Sequence, residues 1–390
     1  MANHYFIKAD TFFLDNGVQK GGYLEVNGDV FGQYYRELPD TNLPVLDFSD
    51  HIVAPGLFDT HIHGVSGHDV MDNSIEAIET ISKNILRYGV TRFLPTTLTS
   101  SFERLKAVVK TIYDANVKGD LGAKIEGIFL EGPYFTETHK GAQNPTYFKD
   151  PSIEELDEWI KESNGLVRKI ALAPERNGAP QFIKDATNKG VYVALAHTDA
   201  DYETCIKAIE SGASIFVHLF NGMKGLHHRE PGTVGAALST KDTFVELIVD
   251  GEHVHPAAIN ITVNSKENDK VCLITDCMRA GLMPDGKFLL GEFEVHVQDG
   301  IAKTSSGSLA GSTLKLIDGV RNLHKWTNLS LYECWKMASL NPAASVGLSD
   351  QIGSIKENKK ADFVVISQDG QIEKVAVEGE IKFERNEEIR

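Results

Sequence analysis

Through the middle of the chain, apolar runs of strand length alternate with amphipathic helical stretches. No other feature limits the available folds as strongly. The runs are Leu57–His61, Thr91–Leu94, Ile125–Leu130, Lys169–Ala173, Val191–Ala196, Ser214–Val217, Phe244–Val249 and Val271–Thr275. Helical patterns lie between them, among them Ser74–Tyr88, stopped by Gly89, and Tyr202–Ser211, stopped by Gly212. Glycine at such a stop supplies the positive φ that a helix C-terminus uses. Strand–helix alternation implies parallel strands, because each helix carries the chain back to the start of the next strand. Eight such units predict a (β/α)8 TIM-type barrel, with a doubly wound open sheet as the alternative.

The two ends of the chain read differently. Tyr23–Val26 and Val30–Tyr35 flank Asn27-Gly28-Asp29, a tight hairpin signal. Near the other end, Ala361–Ile366, Lys374–Val377 and Glu380–Phe383 are short strand patterns with a turn at Asp369-Gly370. Neither end has enough strands for a core of its own. The expected organisation is therefore a small β-sandwich built from residues 1–53 and 353–390, with the barrel, residues 54–352, inserted between them.

Charge removes two classes of partner. Lys and Arg number 39 against 55 Asp and Glu, a net of −16. Nucleic acid and anionic membrane surfaces both need a positive field, so neither is expected. A small anionic substrate would need positive groups supplied locally. The four cysteines, Cys205, Cys272, Cys277 and Cys334, form no CxxC pair, which favours a reducing compartment over a disulfide framework. The first ten residues lack a basic segment followed by a signal-length apolar run. Runs such as Phe363–Ile366 fall far short of the roughly 20 residues of a membrane span. A cytoplasmic location is expected.

Chemistry gathers where the proposed strands end. The first ends in His61-Ile62-His63 and the third in Glu131-Gly132-Pro133; the fifth, sixth and eighth are followed by His197, His218 and Asp276. Active sites of such barrels lie at the C-terminal ends of the strands. Singly, each residue has a plainer role: Glu131 or Asp276 could cap a helix, and the histidines could be hydrogen-bonded core residues. Together, four imidazoles and two carboxylates on one rim form a crowded cluster that a metal would neutralise and order. Their N/O donor set suits zinc or iron.

These residues carry a resemblance. Pro55-Gly56-Leu57-Phe58-Asp59-Thr60-His61-Ile62-His63-Gly64 and the single histidines after later strands resemble the amidohydrolase superfamily. Leu130-Glu131-Gly132-Pro133, Ala196-His197-Thr198, His218-Leu219-Phe220-Asn221-Gly222-Met223 and Arg229-Glu230-Pro231-Gly232 are similar to its amino-sugar-phosphate deacetylases. So are Asp250-Gly251-Glu252-His253-Val254, Ile274-Thr275-Asp276 and Leu309-Ala310-Gly311-Ser312. The resemblance spans nearly the whole chain. It implies a metal-dependent hydrolase that removes the acetyl group of N-acetylglucosamine 6-phosphate in amino-sugar catabolism, giving acetate and glucosamine 6-phosphate. It implies one or two divalent ions per subunit and a homodimer. By the same resemblance, Glu131, His197 and His218 are the main metal ligands, and His61 and His63 are the pair some members retain. Asp276 is the acid/base, although a passive ligand role is compatible with the same position. Asn221, Gly222, His228, Arg229 and His253 hold the sugar phosphate, with Arg229 reaching across the dimer. Leu309 and Ala310 pack near the acetamide, and Ala142 and Gln143 border the substrate. Gln143 departs from the pattern, since some members carry histidine there.

Apart from the resemblance, His227-His228-Arg229 is a local positive group in an acidic protein, and Arg matches phosphate with two parallel donors. A solvated basic loop is the plainer reading. Two rival functions are weaker. A cyclic amidase would carry a bridging lysine after the fourth strand, where Ala171-Leu172-Ala173-Pro174-Glu175 has none, and a deaminase would show HxxE at His197. A metal-free scaffold should have lost some of the six ligands, and none is missing.

Overall fold

The computed structural model describes residues 4–118 and 120–385. Residues 1–3 and 386–390, the outer limits of the expected sandwich, lie outside that range. Eight parallel strands form the large domain: β1 Leu57–Ile62, β2 Val90–Pro95, β3 Ile128–Tyr134, β4 Val167–Leu172, β5 Tyr192–Leu195, β6 Ala213–Phe216, β7 Phe244–Ile248 and β8 Val271–Ile274. Strands β3 to β8 pair in sequence, and β1 pairs with β2. Two seams remain, and single parallel bridges join them, Thr96 to Phe129 and Ile62 to Cys277. These bridges connect the two sheets into the barrel and remove the open-sheet alternative. Nearly every strand residue is buried, as both faces of a parallel sheet require. Phe58, Leu94, Phe129, Ala171, Ala194, Ile215 and Val217 belong to one buried cluster drawn from six of the strand regions.

The helices follow from local sequence. In Ile75–Leu86 the Ser74 side chain caps the first turn by accepting from the Ala77 N–H, and Ile78, Ile81 and Ile85 form the buried stripe. Gly89 ends the segment at φ +86°. The third strand corrects the sequence reading. It was expected over Ile125–Leu130, with Glu131 just beyond it. Lys124–Ile125 pairs instead with β2, Gly127 turns the chain at φ +152°, and β3 begins at Ile128. Glu131 is therefore inside the strand, at a position where the register with β4 shifts. A second difference is a three-stranded antiparallel sheet, Gly286–Leu290, Phe293–Gln298 and Ile301–Thr304, inserted after β8.

Strands from both termini form one eight-stranded sheet around a separate core that includes Phe12, Val26, Phe31, Phe363 and Val365. The two ends meet where His51–Pro55 pairs antiparallel with Phe363–Ser367. We propose residues 1–53 and 353–390 as that domain and 54–352 as the insert. A buried ion cluster ties the two together. Arg92 on β2 grips Asp362 with Nε at 2.6 Å and Nη2 at 3.2 Å, and it also pairs with Glu126 and Glu378. Replacing it removes the cation facing Glu126 and the almost fully buried Asp362, while Glu378 keeps Lys124 and Lys360, and breaking a buried pair costs about 3–5 kcal/mol. Arg92→Met is accordingly expected to lower the unfolding free energy by about that amount in chemical denaturation. A change below about 1 kcal/mol would show that the cluster contributes nothing net.

Candidate active site

Three site residues stand at strand ends in the left-handed backbone region, which turns their side chains over the barrel mouth. They are His197 at φ +45°, His218 at +32° and Asp276 at +49°. His and Asp are among the few side chains enriched there, and strain of this kind concentrates at functional sites. His61 and His63 come from the end of β1, two residues apart and therefore on one face. Asp59 braces that strand against β8: it accepts from the Thr275 hydroxyl at 2.6 Å and the His61 N–H at 3.2 Å. Burial pushes the Asp59 carboxyl up to about 7, against the pull of those hydrogen bonds.

All six expected ligands converge. They form two groups, His61–His63–Asp276 and Glu131–His197–His218, in each of which the ligand atoms lie within 4.8 Å of one another. Glu131 lies between the groups. Its Oε1 is 3.3 Å from His218 Nε2, 3.4 Å from His197 Nε2 and 3.6 Å from His61 Nε2, and its Oε2 is 3.2 Å from His63 Nε2. Asp276 Oδ1 lies 3.2 Å from His63 Nε2 and 3.4 Å from His61 Nε2.

Whether these groups suit a cation is decided by where their protons go. His63 Nδ1 faces the Thr96 carbonyl at 3.1 Å, His197 Nδ1 that of His139 at 2.9 Å, and His218 Nδ1 that of Asn221 at 3.0 Å. A carbonyl only accepts, so each Nδ1 carries a proton, which leaves each Nε2 available to present a lone pair to a cation. The inner ring of the site then gathers imidazole nitrogens and carboxylate oxygens, with His61 Nε2 only 3.2 Å from His63 Nε2. Such a set repels itself unless positive charge enters. Burial alone would lower the His63 imidazole, yet Asp276 and Glu131 hold it well above its usual value. Burial would raise the Glu131 carboxyl, yet the surrounding histidines hold it well below the usual range. The donor set fits divalent ions, which supply that charge without protons.

Above the ligands is a cavity of about 340 Å³. His63, Glu131, His197, His218 and Asp276 line it, together with Ala142, Gln143, Asn221, Gly222, His253 and Leu309. His61 is fully buried behind this surface. A Cβ on Gly222, at φ +60°, would come within 2.8 Å of His197 Nδ1, so only glycine leaves that imidazole in place. Ala310 is buried beside the cavity, its N–H donating to Ala302 O at 3.1 Å. His228 and Arg229 are exposed and do not line this cavity, with Arg229 Nη1 2.8 Å from His228 Nε2. Gln143, expected to face substrate, is occupied by the protein: its Nε2 donates to Glu131 Oε2 at 2.8 Å and its Oε1 accepts from the Thr99 N–H at 2.9 Å.

Sequence reasoning missed several members. Leu290 and Ser308 reach the cavity from the inserted antiparallel sheet and the loop after it. Asp285-Gly286 and Asp299-Gly300, with the alternation between them, were the available signal for that sheet. The His139 carbonyl that orients His197 left none, because its role depends on the backbone alone.

The fold and site have close counterparts. The amidohydrolase family pattern matches residues 52–382. The chain is 46% identical over 332 residues to N-acetylglucosamine-6-phosphate deacetylase of Vibrio furnissii, covering 85% of this chain and 83% of that one. It is 40% identical over 330 residues to N-acetylgalactosamine-6-phosphate deacetylase of Escherichia coli O157:H7, covering 85% and 87%. A mutant N-acetyl-D-glucosamine-6-phosphate deacetylase from Mycobacterium smegmatis, solved in complex with N-acetyl-D-glucosamine-6-phosphate, superposes with a TM-score of 0.91 at 30% identity, covering 98% of this chain and all of that one. The chain belongs to the amidohydrolase family, among its amino-sugar-6-phosphate deacetylases.

Proposed function

We propose that the protein hydrolyses the acetamide of N-acetylglucosamine 6-phosphate to acetate and glucosamine 6-phosphate. The observation that carries this is the convergence of six metal-ligand side chains on one cavity in a chain so similar to enzymes of that name. One ion is assigned to Glu131, His197 and His218 and a second to His61, His63 and Asp276, with zinc or iron as the metal. Such an ion, when bound, polarises an amide carbonyl and acidifies water at neutral pH.

The chain's own groups account for the proton traffic. Burial would raise the Asp276 carboxyl, but His61 and His63 beside it bring it down to about 2, so it is an acceptor at neutral pH. As water adds to the acetyl carbon, its proton passes to the Asp276 carboxylate. Asp276 returns that proton to the amide nitrogen as the C–N bond breaks, and the amine leaves neutral. Asn221, Gly222 and His253 border the cavity where the sugar sits, and Leu309 packs against the acetyl end. Gln143 acts from its place on Glu131, fixing that carboxylate and closing the wall. Four free, buried cysteines agree with a reducing, cytoplasmic setting.

The substrate reading is tested by acetate release from the 6-phosphates of N-acetylglucosamine and N-acetylgalactosamine. A higher kcat/KM for the gluco epimer is expected; preference for the galacto epimer would reassign the substrate.

Arg229 is assigned to the phosphate of a substrate bound in the partner subunit of a homodimer, since it is exposed and does not line the cavity of its own chain. A hydrogen bond to a charged group contributes about 1.5–3 kcal/mol, or roughly 10–150-fold. Arg229→Ala should lower kcat/KM for the phosphorylated substrate by at least about tenfold, chiefly through KM, and leave unphosphorylated N-acetylglucosamine almost unchanged. Dimers mixed from Arg229→Ala and Asp276→Asn subunits should regain one intact site. Equal loss on both substrates would remove the phosphate role, and no recovery in verified mixed dimers would remove the cross-subunit one.

A further inference from the structure

His61 differs from the other three histidines in what holds its far nitrogen. Those three set Nδ1 against backbone carbonyls, whereas His61 Nδ1 faces Glu246 Oε2 at 3.7 Å. Neither of these buried atoms has a hydrogen-bond partner. Glu246, on β7, is fully buried, and its other oxygen is fully engaged. Oε1 accepts from the Thr60 hydroxyl at 3.0 Å and pairs with Lys169 Nζ at 2.6 Å. Lys169, on β4, is equally buried; its ammonium also donates to the Thr60 carbonyl at 3.2 Å and lies 3.7 Å from the Phe129 ring centroid. That same ring packs nearly perpendicular to the His61 imidazole, with the centroids 5.0 Å apart.

A buried ion pair is a poor device for stability alone, because apolar residues of similar volume often serve as well. This one lies beneath the metal ligands, and its one unsatisfied oxygen is turned toward a ligand's ring. We infer that Glu246 is a positioning residue for His61: its carboxylate keeps the proton on Nδ1 by accepting from that N–H, leaving Nε2 to an ion shared with His63 and Asp276, while Lys169 holds Glu246 in register. The inference rests on the metal-site reading above and deepens it. A carboxylate partner makes an imidazole a stronger donor than a carbonyl does, so the His61 group binds its ion in its own right.

The test uses the full-length chain stripped by chelator and titrated with Zn(II) against a chromophoric competitor. The wild type is expected to take up two ions. Glu246→Gln should weaken one of them about 10–100-fold, the usual effect of losing such an outer partner, and leave the other unchanged. Should the lone Lys169 ammonium prevent folding of that variant, Lys169→Met with Glu246→Gln removes the whole charge pair and should show the same selective loss. Starting from His61→Ala, adding Glu246→Gln should change Zn(II) affinity no further, which a merely structural glutamate would not reproduce. Undiminished binding of both ions in a folded Glu246 variant would overturn the inference, as would equal losses with and without His61. A wild type that binds no Zn(II) is a separate result, and it would overturn the metal-site reading itself.

Discussion

Asp276→Asn is expected to lower kcat for acetamide hydrolysis by about 10²–10⁴, the range supplied by a positioned general acid–base. The substitution keeps the shape of the side chain and an oxygen that can still face His63, but it removes the proton acceptor. Neighbouring imidazoles hold the Asp276 carboxyl below its usual range, so the wild-type group is a carboxylate at neutral pH, a proton acceptor that the neutral amide of Asn does not replace. Metal content should fall much less than turnover, and KM should move less than kcat. Parallel losses of metal and activity would make Asp276 a passive ligand.

The second large effect is expected at Glu131. Its carboxylate lies within 3.6 Å of all four of these histidine Nε2 atoms, and Gln143 fixes it at 2.8 Å. Glu131→Ala leaves four inward-facing imidazoles with a single carboxylate for counter-charge. Loss of a mere outer partner costs 10–100-fold in metal affinity, so removal of a direct ligand of the Glu131–His197–His218 group should cost at least about 100-fold there. Elemental analysis of the purified variant should show the Glu131–His197–His218 ion missing, and excess metal should restore little turnover. His197→Ala should behave alike, whereas His61→Ala should chiefly affect the other ion. An indispensable His61 beside a Glu131→Ala variant with full metal and turnover would invert this ranking.

What could be read from the sequence follows from what periodicity and residue type encode. Eight buried strands show as apolar runs whatever their neighbours, and Gly89 and Gly212 mark helix ends through a conformation few other residues adopt. The meeting of the six candidate ligands was legible because strand ends in such a barrel share one rim, so their positions in sequence imply their meeting in space. Glu246 and Lys169 were not. Glu246 interrupts one apolar run and Lys169 opens another, and only closure of the barrel sets β4 against β7 and turns the two into a pair. Glu131 was found for its chemistry but misplaced in its strand, since the Gly127 turn and the register shift beside β4 depend on tertiary pairing. The engagement of Gln143 with Glu131 likewise emerges only when the loop after β3 folds back over the mouth.

The central claim is that these six side chains hold metal and that this centre deacetylates an amino-sugar phosphate. The most direct measurement follows acetate and glucosamine 6-phosphate formed from N-acetylglucosamine 6-phosphate by the purified protein, before chelation, after it, and after restoring Zn(II) or Fe(II). The two products should appear in equal amounts, fall to near background on chelation and return with the ion. Undiminished product formation by protein shown to be metal-free, or no acetate from the fully loaded protein, would contradict it.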